Sequence, residues 1–138
     1  MSPRRPTAAQ ADLSPLELEV MNVVWELGEC ASREVIETFN RGKSPPLAPT
    51  TIRTVLANLR KKGYLAPVPT IERGFRLRPL HSRESVARRS LKQMIRGLFK
   101  GSPSQAIAYL LRDESIDEDE LRQIRKLIDE TKTRGRDS

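Results

Sequence analysis

The stretch from Pro49 to Arg78, PTTIRTVLANLRKKGYLAPVPTIERGFRLR, constrains the fold more than any other part of the chain. Proline suits the first position of a helix and breaks its interior, so Pro49 predicts a helix start. Ile52, Val55, Leu56 and Leu59 then recur three and four apart, which is one buried stripe. Arg53, Thr54, Asn58, Arg60 and Lys61 fall off that stripe, and Gly63 ends the helix after about Lys62. From Tyr64 to Pro79 the pattern becomes an extended hairpin with Arg73-Gly74 at its tip. Phe75 and Leu77 alternate with Arg76 and Arg78, which predicts the arginines on the open face. Pro67 and Pro69 cannot donate ladder hydrogen bonds, so their strand is expected to be short or at an edge. An amphipathic helix followed at once by a basic hairpin is the layout of a winged helix-turn-helix.

The flanking sequence fits that layout. Residues 1–12 are expected to be a disordered arm. Ser14, Pro15 and Glu17 form a helix-start signature, and Leu16, Val20, Val23, Val24 and Leu27 follow at helical spacing up to Gly28. A second helix is predicted over Ser32 to Asn40, with Val35, Ile36 and Phe39 inward. Gly42, Pro45 and Pro46 make 41–48 a loop. Beyond Pro79, Ser82 opens a long helix to about Lys100, Gly101-Ser102-Pro103 breaks it, and a fifth helix follows. Asp117 to Glu120 is a second capping box, and the helix behind it is expected to fray over 133–138.

The predicted fold class is mainly α with a small β-hairpin. A winged helix DNA-binding domain would occupy 13–80, and a three-helix dimerisation domain 81–132. Three short helices alone would struggle to bury Leu91, Ile95, Leu98, Ile107, Leu110, Leu111, Leu121, Ile124, Leu127 and Ile128. A second copy would cover them and supply the two-fold symmetry that helix-turn-helix proteins use on palindromic sites.

Charge narrows the function classes. The 138 residues carry a formal net charge of +7, which favours nucleic acid or an anionic surface. No apolar run approaches the ~18 residues of a membrane span, and the basic N-terminus lacks the apolar core of a signal peptide, so a cytoplasmic location is expected. Between Leu13 and Asn40 six acids oppose one base, a net of −5, whereas between Arg41 and Arg78 nine bases oppose one acid, a net of +8. The positive field therefore sits on the third helix and the hairpin. One cysteine, Cys30, and one histidine, His81, exclude an internal disulfide and a zinc site built within one chain from those two residue types alone. With no phosphate-binding glycine loop and no nucleophile motif, no enzyme chemistry, cofactor or small-molecule substrate is expected.

Thr50, Thr51, Arg53, Thr54, Asn58, Arg60, Lys61, Arg73 and Arg76 are the candidate DNA contacts. Arg53 suits a bidentate guanine contact or a phosphate contact, and the sequence leaves both open. The threonines suit phosphate, a thymine methyl or helix capping. Lys61 and Lys62 suit phosphate or the helix dipole. Trp25 and Cys30 read as packing residues, His81 as surface or linker, and the acids at 117–120 as capping rather than metal ligation. Three functions stay open: a sequence-specific repressor, a protein-docking module using the acidic first two helices, and a non-specific DNA binder.

The stretches LSPLELEVMNVVWELGECASREVIE and LAPTTIRTVLANLRKKGYL, with RLRPLHSRE and LFKGSPSQAIAYLL…DEDELRQIRKLIDE behind them, resemble the penicillinase-repressor family of bacterial regulators, the BlaI/MecI/CopY type, over about residues 13–130. The E-x-x-V-M-x-x-x-W-E pattern from Glu17 to Glu26 and the T-T-x-x-T-V-L run from Thr50 to Leu56 carry most of the likeness. The resemblance implies a homodimeric repressor on a dyad operator in double-stranded DNA. It also implies release through a membrane sensor metalloprotease pathway, with cleavage near Tyr109-Leu110. Two departures stand out: Ala48 precedes the recognition helix where members often have a polar or aromatic residue, and the wing strand carries the unusual prolines Pro67 and Pro69. The stretch TKTRGRDS differs from the cysteine-rich tail of the copper-responsive branch, so copper sensing by that route is not expected.

Overall fold

The computed structural model describes residues 12–71, 74 and 76–136. The chain divides into two compact units, Met1–Ser90 and Leu91–Ser138.

In the first unit, α1 (Pro15–Leu27) begins at the expected capping box. Ser14 N–H donates to Glu17 Oε1 at 2.8 Å, and Glu17 N–H donates to Ser14 Oγ at 3.2 Å. β1 (Cys30–Ala31) leads into α2 (Ser32–Asn40), whose last residue organises the loop behind it. Asn40 Nδ2 donates to the Leu47 carbonyl at 3.0 Å, and Leu47 N–H returns a bond to Asn40 Oδ1 at 2.9 Å. That clamp sets where α3 (Pro49–Lys61) can begin. α3 ends in a Schellman turn: Tyr64 N–H donates to Leu59 O at 2.9 Å and Gly63 N–H to Arg60 O at 3.1 Å. Gly63 has φ +85°, which a residue without Cβ adopts at little cost.

β2 (Leu65–Val68) and β3 (Arg76–Pro79) form an antiparallel ladder, and β1 adds on the far side of β3, giving the order β1-β3-β2. The proline-bearing β2 is four residues long and lies at an edge, as its lost donors require. β1 was not expected from the sequence. At two residues it is too short to show an alternation, and it exists because Cys30 finds Leu77 across the sheet.

The core draws Val20, Met21 and Val24 from α1, Val35 and Phe39 from α2, and Ile52, Val55, Leu56 and Leu59 from α3. Tyr64, Leu65 and Leu77 close it from the sheet side, and Val86 joins from the first turns of α4 (Arg83–Leu98). Trp25 is structural, as expected: its Nε1–H donates to the His81 carbonyl at 2.8 Å. His81 lies in the linker between β3 and α4, as expected, and is half-buried there. Its ring packs edge-on to Tyr64 at 6.5 Å, and Nε2 is buried with no hydrogen-bond partner among the described residues. The chain turns from β3 towards α4 there, and that turn brings the ring against Tyr64.

Among the described residues of this unit, Glu17 is the buried acid, at 6% exposure. Lys62 Nζ lies 2.6 Å from its Oε1 and also donates to the Asp12 carbonyl at 2.8 Å, pinning the chain before α1 to the end of α3. Burial pushes the Glu17 pKa up, but the hydrogen bonds from Lys62 and Ser14 outweigh it and hold the carboxyl below its ordinary value.

In the second unit, the later turns of α4 are followed by α5 (Pro103–Arg112) and α6 (Glu118–Arg136). Ser102 Oγ caps α5 by accepting from Gln105 N–H, and Asp117 Oδ1 caps α6 by accepting from Glu120 N–H. α6 continues to Arg136, well into the 133–138 stretch expected to fray. Thr131 and Thr133 turn their hydroxyls back onto the Leu127 and Asp129 carbonyls, so polar side chains at the helix end are satisfied locally. Phe99 and Tyr109 meet edge-on at 5.4 Å. Leu91, Leu98, Ile107, Leu110, Leu111, Leu127 and Ile128 all stay exposed, while Ile95, Leu121 and Ile124 are half-buried.

Candidate nucleic-acid interface

α3 separates its residues by face. Ile52, Val55, Leu56 and Leu59 are buried, and Thr50, Thr51, Arg53, Thr54, Ala57, Asn58, Arg60 and Lys61 are exposed. At 100° per residue, Thr50, Thr54, Ala57 and Lys61 run along the outermost line of the helix. Arg53 and Arg60 flank it on one side, and Thr51 and Asn58 on the other. Seven sequence candidates therefore share one continuous exposed surface.

The start of α3 is bare. Ala48 offers no side-chain cap, as its residue type demands, and the Thr54 hydroxyl bonds back to the Thr50 carbonyl at 2.9 Å. That bond uses the Thr54 proton but leaves its oxygen lone pairs available. Neither Thr50 nor Thr51 replaces the missing cap. At the other end, Arg60 and Lys61 stand in the last turn, where cations favour the helix dipole.

Two sequence candidates end differently. Arg76 does not stand on an open face. Its guanidinium lies 3.3 Å from Glu29 Oε2 and 3.9 Å from Glu34 Oε1, and its side chain is 29% exposed. β3 is the central strand, so alternation turns Arg76 over β1 and the start of α2, where those acids wait. Arg73 lies outside the described residues. Of the adjacent lysines, Lys61 is exposed and Lys62 is engaged with Glu17, because one further residue turns the side chain towards α1.

A feature the candidate list missed is a cleft of about 330 Å³ beside α3, lined by Ser32, Arg53, Leu56, Ala57, Arg60, Gly74 and Leu77. It joins α2, α3 and the wing, so no single sequence window contains it. Ala57, a small residue in the middle of a polar helix face, was the one local sign of it. Cys30, at 1% exposure, has its thiol pKa pushed up to about 11, foremost by burial and then by Glu34. It is a packing residue and not a reactive one. Among the described residues, no group of three or more His, Cys, Asp or Glu is disposed to hold a metal ion, and no helix is long and apolar enough to cross a membrane.

The sequence pattern of the penicillinase repressor family matches residues 13–130. The methicillin resistance regulatory protein MecI of Staphylococcus aureus (strain N315) is 25% identical over 117 residues, covering 85% of this chain and 93% of that protein. The penicillinase repressor of Bacillus licheniformis is 25% identical over 125 residues, covering 91% and 95%. The solution structure of the monomeric form of Bacillus licheniformis BlaI with the blaP half-operator is 32% identical over 54% of this chain and 88% of that one, with a TM-score of 0.45.

Proposed function

The chain belongs to the penicillinase repressor family, and from that membership and the outward face of α3 we propose that it is a homodimeric, cytoplasmic repressor that occupies a dyad operator in double-stranded DNA. The observation that carries the proposal is the face itself. Thr50, Thr51, Arg53, Thr54, Asn58, Arg60 and Lys61 are all exposed on a helix whose opposite stripe is buried. Arg53 is the base-reading candidate, since its fork matches the O6 and N7 acceptors of guanine. Lys61 and Arg60 hold phosphate and fix register, and Arg73 in the wing acts with them. The same reading assigns no catalytic residue, cofactor or substrate to the chain.

Dimerisation is supported by the aliphatic surface of the second unit. Leu98 is 75% exposed and Leu127 61%, and a lone molecule gains nothing by leaving them in water. Release by a sensor metalloprotease pathway, with cleavage at Tyr109-Leu110, is part of the same proposal. Both residues are exposed, though they lie within α5, so cleavage requires that helix to open locally.

The test is duplex binding by fluorescence anisotropy, using the region ahead of the chain's own gene and scrambled controls. The expected result is selective binding that weakens steeply with salt. Arg53→Ala is expected to remove about 1–3 kcal/mol of discrimination between sequences, while Lys61→Ala weakens all sequences alike. Equal affinity for scrambled duplexes would point to a non-specific binder. Failure to bind any duplex would point to a protein-docking module.

A further inference from the structure

The cleft beside α3 has an apolar floor and a basic rim. Leu56 and Leu77 form the floor at 4% exposure each, and Ala57, on the outer line of the helix, borders the cleft. Arg53 and Arg60 stand at the rim with Ser32, the first residue of α2. Arg53 makes no hydrogen bond or ion pair within the described residues. Glu29 and Glu34 face Arg76 at 3.3 and 3.9 Å. The N-cap of α2 is Ala31, which has no side-chain oxygen, and Glu34 Oε1 accepts from its N–H at 3.0 Å instead.

We propose that this cleft binds a small amphipathic anion, a carboxylate carried on a compact apolar body. About 330 Å³ is near the lower end of small-molecule sites, enough for a bicyclic ring or a medium-length acyl chain. The Arg53 guanidinium matches a carboxylate with two parallel hydrogen bonds, and the floor takes the apolar body out of water. A bare phosphate would use the rim and leave the floor wet. A neutral apolar molecule would use the floor and waste the rim. Arg53 and Ala57 also belong to the face assigned to DNA, so an occupied cleft and a bound duplex exclude each other. That consequence rests on the proposed function, whereas binding of the anion does not. By linkage, each ligand weakens the other by the same factor.

The probe is 2-naphthoate, titrated into the full chain and followed by its own fluorescence, with no DNA present. One saturable site with a Kd below about 1 mM is expected. Arg53→Gln should raise that Kd about tenfold, and Ala57→Phe, which fills the cleft, should do the same. Arg88→Gln, an equal loss of charge on exposed α4, should leave it within about twofold; tenfold corresponds to 1.4 kcal/mol. Unchanged far-ultraviolet circular dichroism and Trp25 emission establish that the variants are folded. No saturable binding overturns the proposal, as does equal loss in Arg53→Gln and Arg88→Gln, or equal affinity for uncharged 2-naphthylmethanol. If naphthoate binds but an operator duplex does not displace it, the cleft stands and the assignment of α3 to DNA falls. If the duplex binds and naphthoate does not, the cleft proposal falls alone.

Discussion

Replacing Lys62 by methionine leaves Glu17, 6% exposed, without its cationic partner while keeping the length and apolar stem of the side chain. A hydrogen bond to a charged group contributes ~1.5–3 kcal/mol when its partner stays buried. Two observations lower that figure. The Lys62 side chain is 33% exposed, so water already screens the pair, and Ser14 N–H still donates to Glu17 Oε1 in the variant. The expected loss is therefore about 1–2 kcal/mol, or roughly 4–8 °C in Tm per kcal/mol for a unit of this size. The assay is urea unfolding of the full chain read at Trp25, its single tryptophan, which reports the first unit. The midpoint should fall with an unchanged slope.

The same pair sets a pH signature. Glu17 has a folded pKa below its ordinary value of 4.5, so the unfolded chain binds the proton more readily. Its contribution to stability is fully present above about pH 4.5 and is lost as pH falls through the lower folded value. Parent and Lys62→Met should thus differ at pH 7 and converge towards pH 3. Glu17→Gln and the double variant complete a cycle with a coupling of about 1 kcal/mol. A difference at pH 7 below about 0.3 kcal/mol, or one that persists undiminished at pH 3, refutes the reasoning.

Three further outcomes are expected. Trp25→Phe removes the donor to the His81 carbonyl and should destabilise the first unit by about 1 kcal/mol in thermal melts followed by circular dichroism; a neutral result would mean water replaces the bond. Cys30 should react with a thiol reagent at pH 8 only as fast as the unit unfolds; because its pKa is raised to about 11, its contribution is full below the ordinary value of 9.0 and declines as pH rises towards 11, and rapid labelling of the native protein would contradict this. Arg76→Ala should change stability by less than about 1 kcal/mol and weaken duplex binding less than Lys61→Ala does; a larger effect on the duplex would mean that Arg76 leaves Glu29 and Glu34 on binding.

Much of the first unit was legible because its signals are local. Ser14 and Glu17 cap a helix within four residues, Pro49 starts one, and Gly63 stops it. The stripe from Ile52 to Leu59 needs only a period, and the edge position of β2 follows from prolines that cannot donate. What was missed depends on residues far apart in the chain. β1 has no pattern of its own and exists through Leu77, nearly fifty residues away. The edge-on contact of His81 with Tyr64 likewise has no local signature, and neither does the clamp that Asn40 makes on Leu47 seven residues on.

The candidate site divides along the same line. Sequence alone determined that α3 would present Thr50, Arg53, Thr54 and Lys61 opposite an apolar stripe, because helical geometry is fixed by the backbone whatever surrounds it. It also determined that positive charge would gather between Arg41 and Arg78. Only the tertiary structure decided which of those charges remain available. Arg76 crosses the sheet to Glu29 and Glu34, and Lys62 turns onto Glu17, while Lys61 beside it stays in solvent. A count of charge cannot see this, because ion pairing depends on distances of a few ångströms between elements distant in sequence. The cleft under Arg53 has the same origin: its floor and rim come from three elements, and only their packing brings Leu56, Leu77 and Ser32 around one space.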